Sequence, residues 1–170
     1  MDEESIILLK NKNRILPLSK KDTRKVALLG PLLNEGTKAD FAAVAGAGVV
    51  FSAERGFALT NERRGNPELS TNNDQAIEKM VSMARESDVV VLFLGGDEFT
   101  AKEAFFNKAL GDRDNIDPVG QQDELMQRIK ALGKPVVVVL KHRRTLSINV
   151  IAEQADAILD CWDLSEFGDE

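Results

Sequence analysis

The chain has 170 residues, with 22 basic and 28 acidic side chains, a formal charge of −6, one His, one Cys, one Trp and no Tyr. An apolar fraction of 43% and a charged fraction of 29% exclude a disordered chain, and the acidic balance argues against general nucleic-acid binding, which needs a basic face to displace counterions. One Cys excludes an intrachain disulfide, no Cys/His spacing suggests zinc, and the longest apolar run, Val89 to Leu94, is far short of a membrane span.

In chain order, the first β-branched apolar run is Val26–Leu29, a predicted strand. A short, small-residue-rich segment, 37–46, is a weak helix. Val49–Ala53 is the second strand, and the polar stretch 60–73 reads as a loop. In 71–87, Ala76, Ile77, Met80, Val81 and Ala84 fall on one face of a 3.6-residue period, so a helix is predicted with Asn73 or Thr71 as its cap. Val89–Leu94 is continuous rather than alternating, as in a strand covered on both faces. The segment 95–120 is too long to be a mere connector. A helix over 121–132 follows from Leu125, Ile129 and Leu132, with Gly133 as C-cap and Pro135 blocking continuation. Val136–Leu140 is a strand, 146–154 a short helix, and Ala157–Leu159 the last strand.

Strands alternating with helices imply right-handed βαβ crossovers. The expected fold is one domain, 1–170: a three-layer α/β/α sandwich with a doubly wound, mostly parallel sheet, flavodoxin-like or Rossmann-like. Its strand order is not readable. Sites in such folds lie at the C-terminal ends of the strands, which directs attention to 95–120.

Gly95-Gly96-Asp97-Glu98 follows the central strand but lacks the G-x-G-x-x-G spacing of a dinucleotide site, while Gly46 and Gly48 precede a strand. The loop holds Asp97, Glu98, Glu103, Asp112, Arg113, Asp114 and Asp117. Paired carboxylates there can serve acid/base chemistry, or form a solvated acidic loop with Arg113 in salt bridges. His142 and Cys161 each follow a strand and can meet as an esterase-like pair, or be a hydrogen-bonded His and a small buried hydrophobe. Lys141-His142-Arg143-Arg144 is either an anion site or a solvated turn.

The opening Glu4-Ser5-Ile6-Ile7-Leu8-Leu9-Lys10-Asn11 through Ile15-Leu16-Pro17-Leu18 resembles the start of the second domain of glycoside hydrolase family 3 enzymes, the β-glucosidase and β-xylosidase class. Similar pieces follow in order: Val26–Pro31, Ser87–Asp97, Gly111-Asp112-Arg113-Asp114, Gly120-Gln121-Gln122 with Glu124-Leu125, Gly133–Leu140, and Ala157-Ile158-Leu159 with Trp162. The resemblance implies a sandwich, usually six-stranded, lying beside a TIM barrel. The barrel supplies the sugar pocket and nucleophilic Asp; the sandwich supplies the general acid/base Glu on the loop after strand 89–94. Matched residue by residue, Glu103 takes that role, with Glu98 the second choice because the insert 105–110 blurs the alignment. Asp97, Asp112, Arg113 and Trp162 become substrate-binding candidates. No metal or cofactor is implied.

The departures are specific. No barrel is present, so no nucleophile carries over. Arg143 and Thr145 stand where the family tends to have Gly and Pro, the segment 31–49 looks shortened, and 163–170 lacks the usual Gly-rich turn. The first reading is therefore a carbohydrate-enzyme domain, silent without its barrel. The alternative is an engineered scaffold or binding module built on such a domain; the esterase-like Cys161–His142 pair is the minor one. A sheet face left bare by a short 37–46 helix implies burial in a homodimer. The acidic start, Met1 to Glu4, is unlike a signal peptide, although family members are often secreted or periplasmic, so localisation stays open.

Overall fold

The computed structural model describes residues 5–19, 21–45, 48–60, 72–97, 100 and 115–162. The described elements run β1 (Ile7–Asn11), a short 3-10 turn (Lys12–Arg14), β2 (Lys25–Leu29), α1 (Glu35–Ala45), β3 (Val50–Glu54), α2 (Asp74–Arg85), β4 (Val89–Gly95), α3 (Gln122–Lys130), β5 (Val136–Lys141), α4 (Asn149–Gln154) and β6 (Ala157–Asp160). They build one six-stranded sheet in the order β1-β6-β5-β4-β2-β3. All neighbouring pairs are parallel except β1 with β6. The expected mostly parallel α/β fold is what forms.

The sheet separates two apolar clusters by strand parity. Val90, Leu92 and Leu94 join Val138, Leu140 and Ile158 against Ile77, Met80, Leu125, Ile129 and Ile151 of α2, α3 and α4. Val89 and Val91 join Val26, Leu28, Val137 and Ala157 on the opposite face, which is covered by Phe41 of α1 and by Ile15, Leu16 and Leu18. That alternation explains the continuous apolar runs of β4 and β5: both parities are buried. The second face is less well covered. Phe93, Val139 and Leu159 stand side by side in register and are only half-buried there. Leu8, the partner of Leu159 on β1, is 51% exposed.

The predicted elements fall within a few residues of the observed ones, with two differences. β1 was not among the predicted strands. It is an exposed edge strand, with Ile7, Leu8 and Leu9 all exposed, so it carries no burial pattern to betray it. Its loop is closed by Asn11, whose Nδ2 donates to the Leu16 carbonyl and whose Oδ1 accepts the Leu16 N–H, both at 3.0 Å. Asn73 sits at the N-cap of α2 but makes no side-chain capping bond; Thr71 lies outside the described residues. Gly133 terminates the α3 turn as expected, with φ +71° and its N–H on the Lys130 carbonyl.

Candidate functional site

Five parallel strands end at one edge, and the side chains that follow them converge there. β4 ends in Gly95, where backbone passes so close to β5 that an added Cβ would lie 2.0 Å from the Lys141 carbonyl oxygen. With φ at +136°, this position accepts glycine alone. Gly96 donates to the same Lys141 carbonyl at 2.9 Å. Asp97 then closes a turn: its N–H donates to Thr100 Oγ1 at 2.9 Å, and its Oδ1 accepts the Thr100 N–H at 3.1 Å. The Asp97 carboxylate is thus engaged in shaping the exit of the loop.

At the ends of β5 and β6, His142 and Asp160 form a buried pair, Nε2 to Oδ1 3.0 Å. The other ring nitrogen, Nδ1, lies 2.8 Å from the Arg144 carbonyl. The Trp162 N–H donates to the same Asp160 oxygen at 3.1 Å, and the His142 N–H donates to the Trp162 carbonyl at 3.1 Å. The indole sits 5.0 Å from the imidazole, centroid to centroid, and is 46% exposed. This network holds the chain's one Trp, with a positive φ of 53°, at the rim of the edge.

The Cys161–His142 pair does not form. Sequence places the two residues at one edge, as expected, but both imidazole nitrogens are taken by Asp160 and the Arg144 carbonyl. Burial, with Asp160 beside it, raises the Cys161 thiol above its ordinary pKa, against the lowering pull of Lys141. An esterase nucleophile needs the opposite shift. Glu98, Glu103, Asp112 and Arg113 lie outside the described residues.

Between Gly95, Gly96, Asn115, Ile116, His142 and Arg144 there is a cavity of only about 10 Å³. That is room for a single water and not for a pyranose ring. Among the described residues there is also no group of three or more His, Cys, Asp or Glu side chains placed to hold a metal, and no helix is long and apolar enough to cross a membrane.

The sequence alone assigns no role to Gln121 and Gln122. Gln122 is fully buried, bonded to Gly95 and Val119. The signal available was an amide pair directly after a long loop and at the start of an amphipathic helix. Amides do not titrate, so a search for acids, bases and nucleophiles passes over them.

Among the described residues, then, the strand-end edge of this parallel α/β sandwich encloses no sugar-sized pocket. The chain belongs to the glycosyl hydrolase family 3 C-terminal domain family, whose model matches residues 6–169. It is 67% identical over 169 residues to a putative β-xylosidase of Formosa agariphila, covering 99% of this chain and 22% of that protein. It is 30% identical over 187 residues to a periplasmic β-glucosidase of Salmonella typhimurium, covering 94% and 23%. Among solved structures, a β-glucosidase from Erythrobacter marinus superimposes with a TM-score of 0.87 at 34% identity, covering 99% of this chain and 26% of that one. The chain therefore spans about a quarter or less of the length of these relatives. None of these matches supports an engineered origin.

Proposed function

We propose that this chain works as the C-terminal domain of a larger retaining β-glycosidase and supplies the general acid/base, Glu103, from the segment between β4 and α3. Glu98 is the second choice. Retaining hydrolysis needs one carboxylate as nucleophile and a second as proton donor, and the nucleophile comes from a barrel outside this sequence. Asp97, Asp112, Arg113 and Trp162 are the substrate-binding candidates in this reading. β-Xylosides are the first substrates to try, because the relative at 67% identity is named a putative β-xylosidase.

The observation that carries the proposal is the match of residues 6–169 to a C-terminal-domain family in proteins at least about four times longer, and the small cavity at the strand ends agrees with it. The test is direct. The chain is assayed with aryl β-xylosides and β-glucosides beside its Glu103→Gln variant. The expected result is no turnover above buffer for either. Clear turnover by the chain that disappears in Glu103→Gln would overturn the dependence on a barrel.

A further inference from the structure

Two adjacent amides gather the loop ends at this edge. The Oε1 of Gln122 accepts the Gly95 N–H at 2.8 Å. Its Nε2 donates to the Gly95 carbonyl at 2.8 Å and to the Val119 carbonyl at 2.9 Å. Gly95 is where the segment 96–120 leaves the sheet, and Val119 is where that segment returns. One side chain thus bonds both ends of the same segment.

Gln122 uses both of its amide donors and is fully buried. A buried amide is costly unless every group is paired, and this one is paired with the Gly95 N–H, the Gly95 carbonyl and the Val119 carbonyl, each of which would lose its partner to an apolar side chain of equal size. Packing alone therefore does not account for a glutamine here. Gln121 does a parallel job one residue earlier. Its Oε1 accepts the Asn73 N–H at 2.9 Å, and its Nε2 donates to Glu124 at 2.9 Å and to Asp74 at 3.2 Å. Asn73 is where the polar stretch 60–73 ends.

We propose that Gln122 is a positioning residue for the acid/base segment: it fixes the separation and direction of the two ends of 96–120, while Gln121 ties the end of 60–73 to the same helical turn. The proposal rests on the reading that 96–120 carries the general acid/base. A proton donor misplaced by about 1 Å loses on the order of 10²-fold in rate, so an anchor at the two ends of the donor's loop has a catalytic effect out of proportion to its size.

The test has two readouts. In the chain itself, amide hydrogen exchange follows Gly95 and Asn73 separately. Gln122→Met is expected to speed Gly95 exchange by about tenfold or more and leave Asn73 within about twofold; Gln121→Met reverses the pattern. Unchanged Gly95 exchange in Gln122→Met overturns the clamp. If Gln122→Met does not fold, Gln122→Glu keeps the acceptor for the Gly95 N–H and loses the donors to the Gly95 and Val119 carbonyls, and it takes its place in the second readout.

That readout uses this chain joined to its barrel, with aryl β-xylosides of differing leaving-group acidity. Gln122→Met is expected to lower kcat/KM about 10- to 100-fold for phenyl xyloside, which needs a proton donor, and less than about threefold for the dinitrophenyl substrate, which does not. Equal losses on both substrates mean a merely structural role and overturn the proposal. If neither Glu103→Gln nor Glu98→Gln shows leaving-group dependence, the acid/base reading is overturned instead. The exchange of Gly95 still reports the clamp in that case.

Discussion

Asp160 Oδ1 accepts from two partners at once, the ring of His142 at 3.0 Å and the backbone N–H of Trp162 at 3.1 Å. Because His142 returns a bond from its own N–H to the Trp162 carbonyl, the backbone that carries the exposed indole is tied both to Asp160 at the end of β6 and to His142 after β5. Replacing Asp160 by Ala is expected to lower stability by about 1–3 kcal/mol, since a buried imidazole nitrogen loses its partner. Trp162 is the chain's one Trp, so its fluorescence reports the event without ambiguity. Intensity should rise as the ring moves away from the quenching imidazole, while circular dichroism in urea gives the stability change. Unchanged fluorescence with lost stability would show that the network does not set the indole's position.

Two glycines with positive φ separate conformational cost from collision cost. Gly133→Ala, with φ +71° and nothing within 4 Å of the added carbon, should cost about 1 kcal/mol. Gly95→Ala adds a contact 2.0 Å from the Lys141 carbonyl oxygen at φ +136°, and should cost about 3 kcal/mol or more. Urea midpoints of the two variants decide it. Similar midpoints would mean that β4 and β5 part easily at Gly95.

Acid should destabilise the fold through carboxylates whose proton affinity is lowered by folding. Asp88 is held down by the backbone N–H groups of Lys25 and Arg24, both at 2.8 Å. At Asp156 burial pushes the other way, but the Lys130 ammonium at 2.5 Å, the Val136 N–H at 2.9 Å and nearby Lys12 outweigh it. A lowered folded pKa contributes stability that is present above the unfolded carboxylate value, about 4, and is lost as pH falls through the folded value. Asp156→Asn keeps the acceptor for Val136 but not the charge. Its cost should be about 1 kcal/mol at pH 7 and should shrink below about pH 4. Thermal melts across that range test this; a cost independent of pH would remove the charge from the explanation.

Cys161 should be a poor nucleophile. With its thiol pKa raised by burial and Asp160, its reaction with an aromatic disulfide reagent should be slow at pH 7–8 and accelerate only above the range of an ordinary cysteine. Cys161→Ala should leave hydrolysis of an activated ester at the wild-type rate. A drop in that rate would restore the esterase reading.

The fold was legible where burial imposes a pattern. Val89–Leu94 of β4 and Val136–Leu140 of β5 are apolar at every position because α2, α3 and α4 cover one face and α1 with the 15–18 segment covers the other; α2 and α3 announced themselves by the periodicity of Ile77, Met80, Val81, Leu125 and Ile129. β1 escaped because an exposed edge strand has no burial to write into its sequence, and its antiparallel direction has no local signature. At the site, the rule that loops follow strand ends located Asp97, His142, Cys161 and Trp162 at one edge. It did not say which way the imidazole points. The choice of Asp160 over Cys161 depends on a strand-to-strand register that one sequence does not reveal, and Gln122 matters through three hydrogen bonds that close only once β4 and α3 are side by side.

The reversed strand at the edge of the sheet also decides how the domain is leashed. Because β1 runs against β6, Ile7 pairs with Asp160, while Asn11 pairs with Ala157 at the far end. The chain therefore enters β1 beside Asp160, at the edge where the parallel strands end, and not at the distant rim of the sheet. A parallel first strand would have delivered it there. If the proposed barrel is joined ahead of β1, an attachment point so near this edge would hold it at a high local concentration beside the strand ends, and lengthening that junction should weaken turnover without touching a single residue of the site.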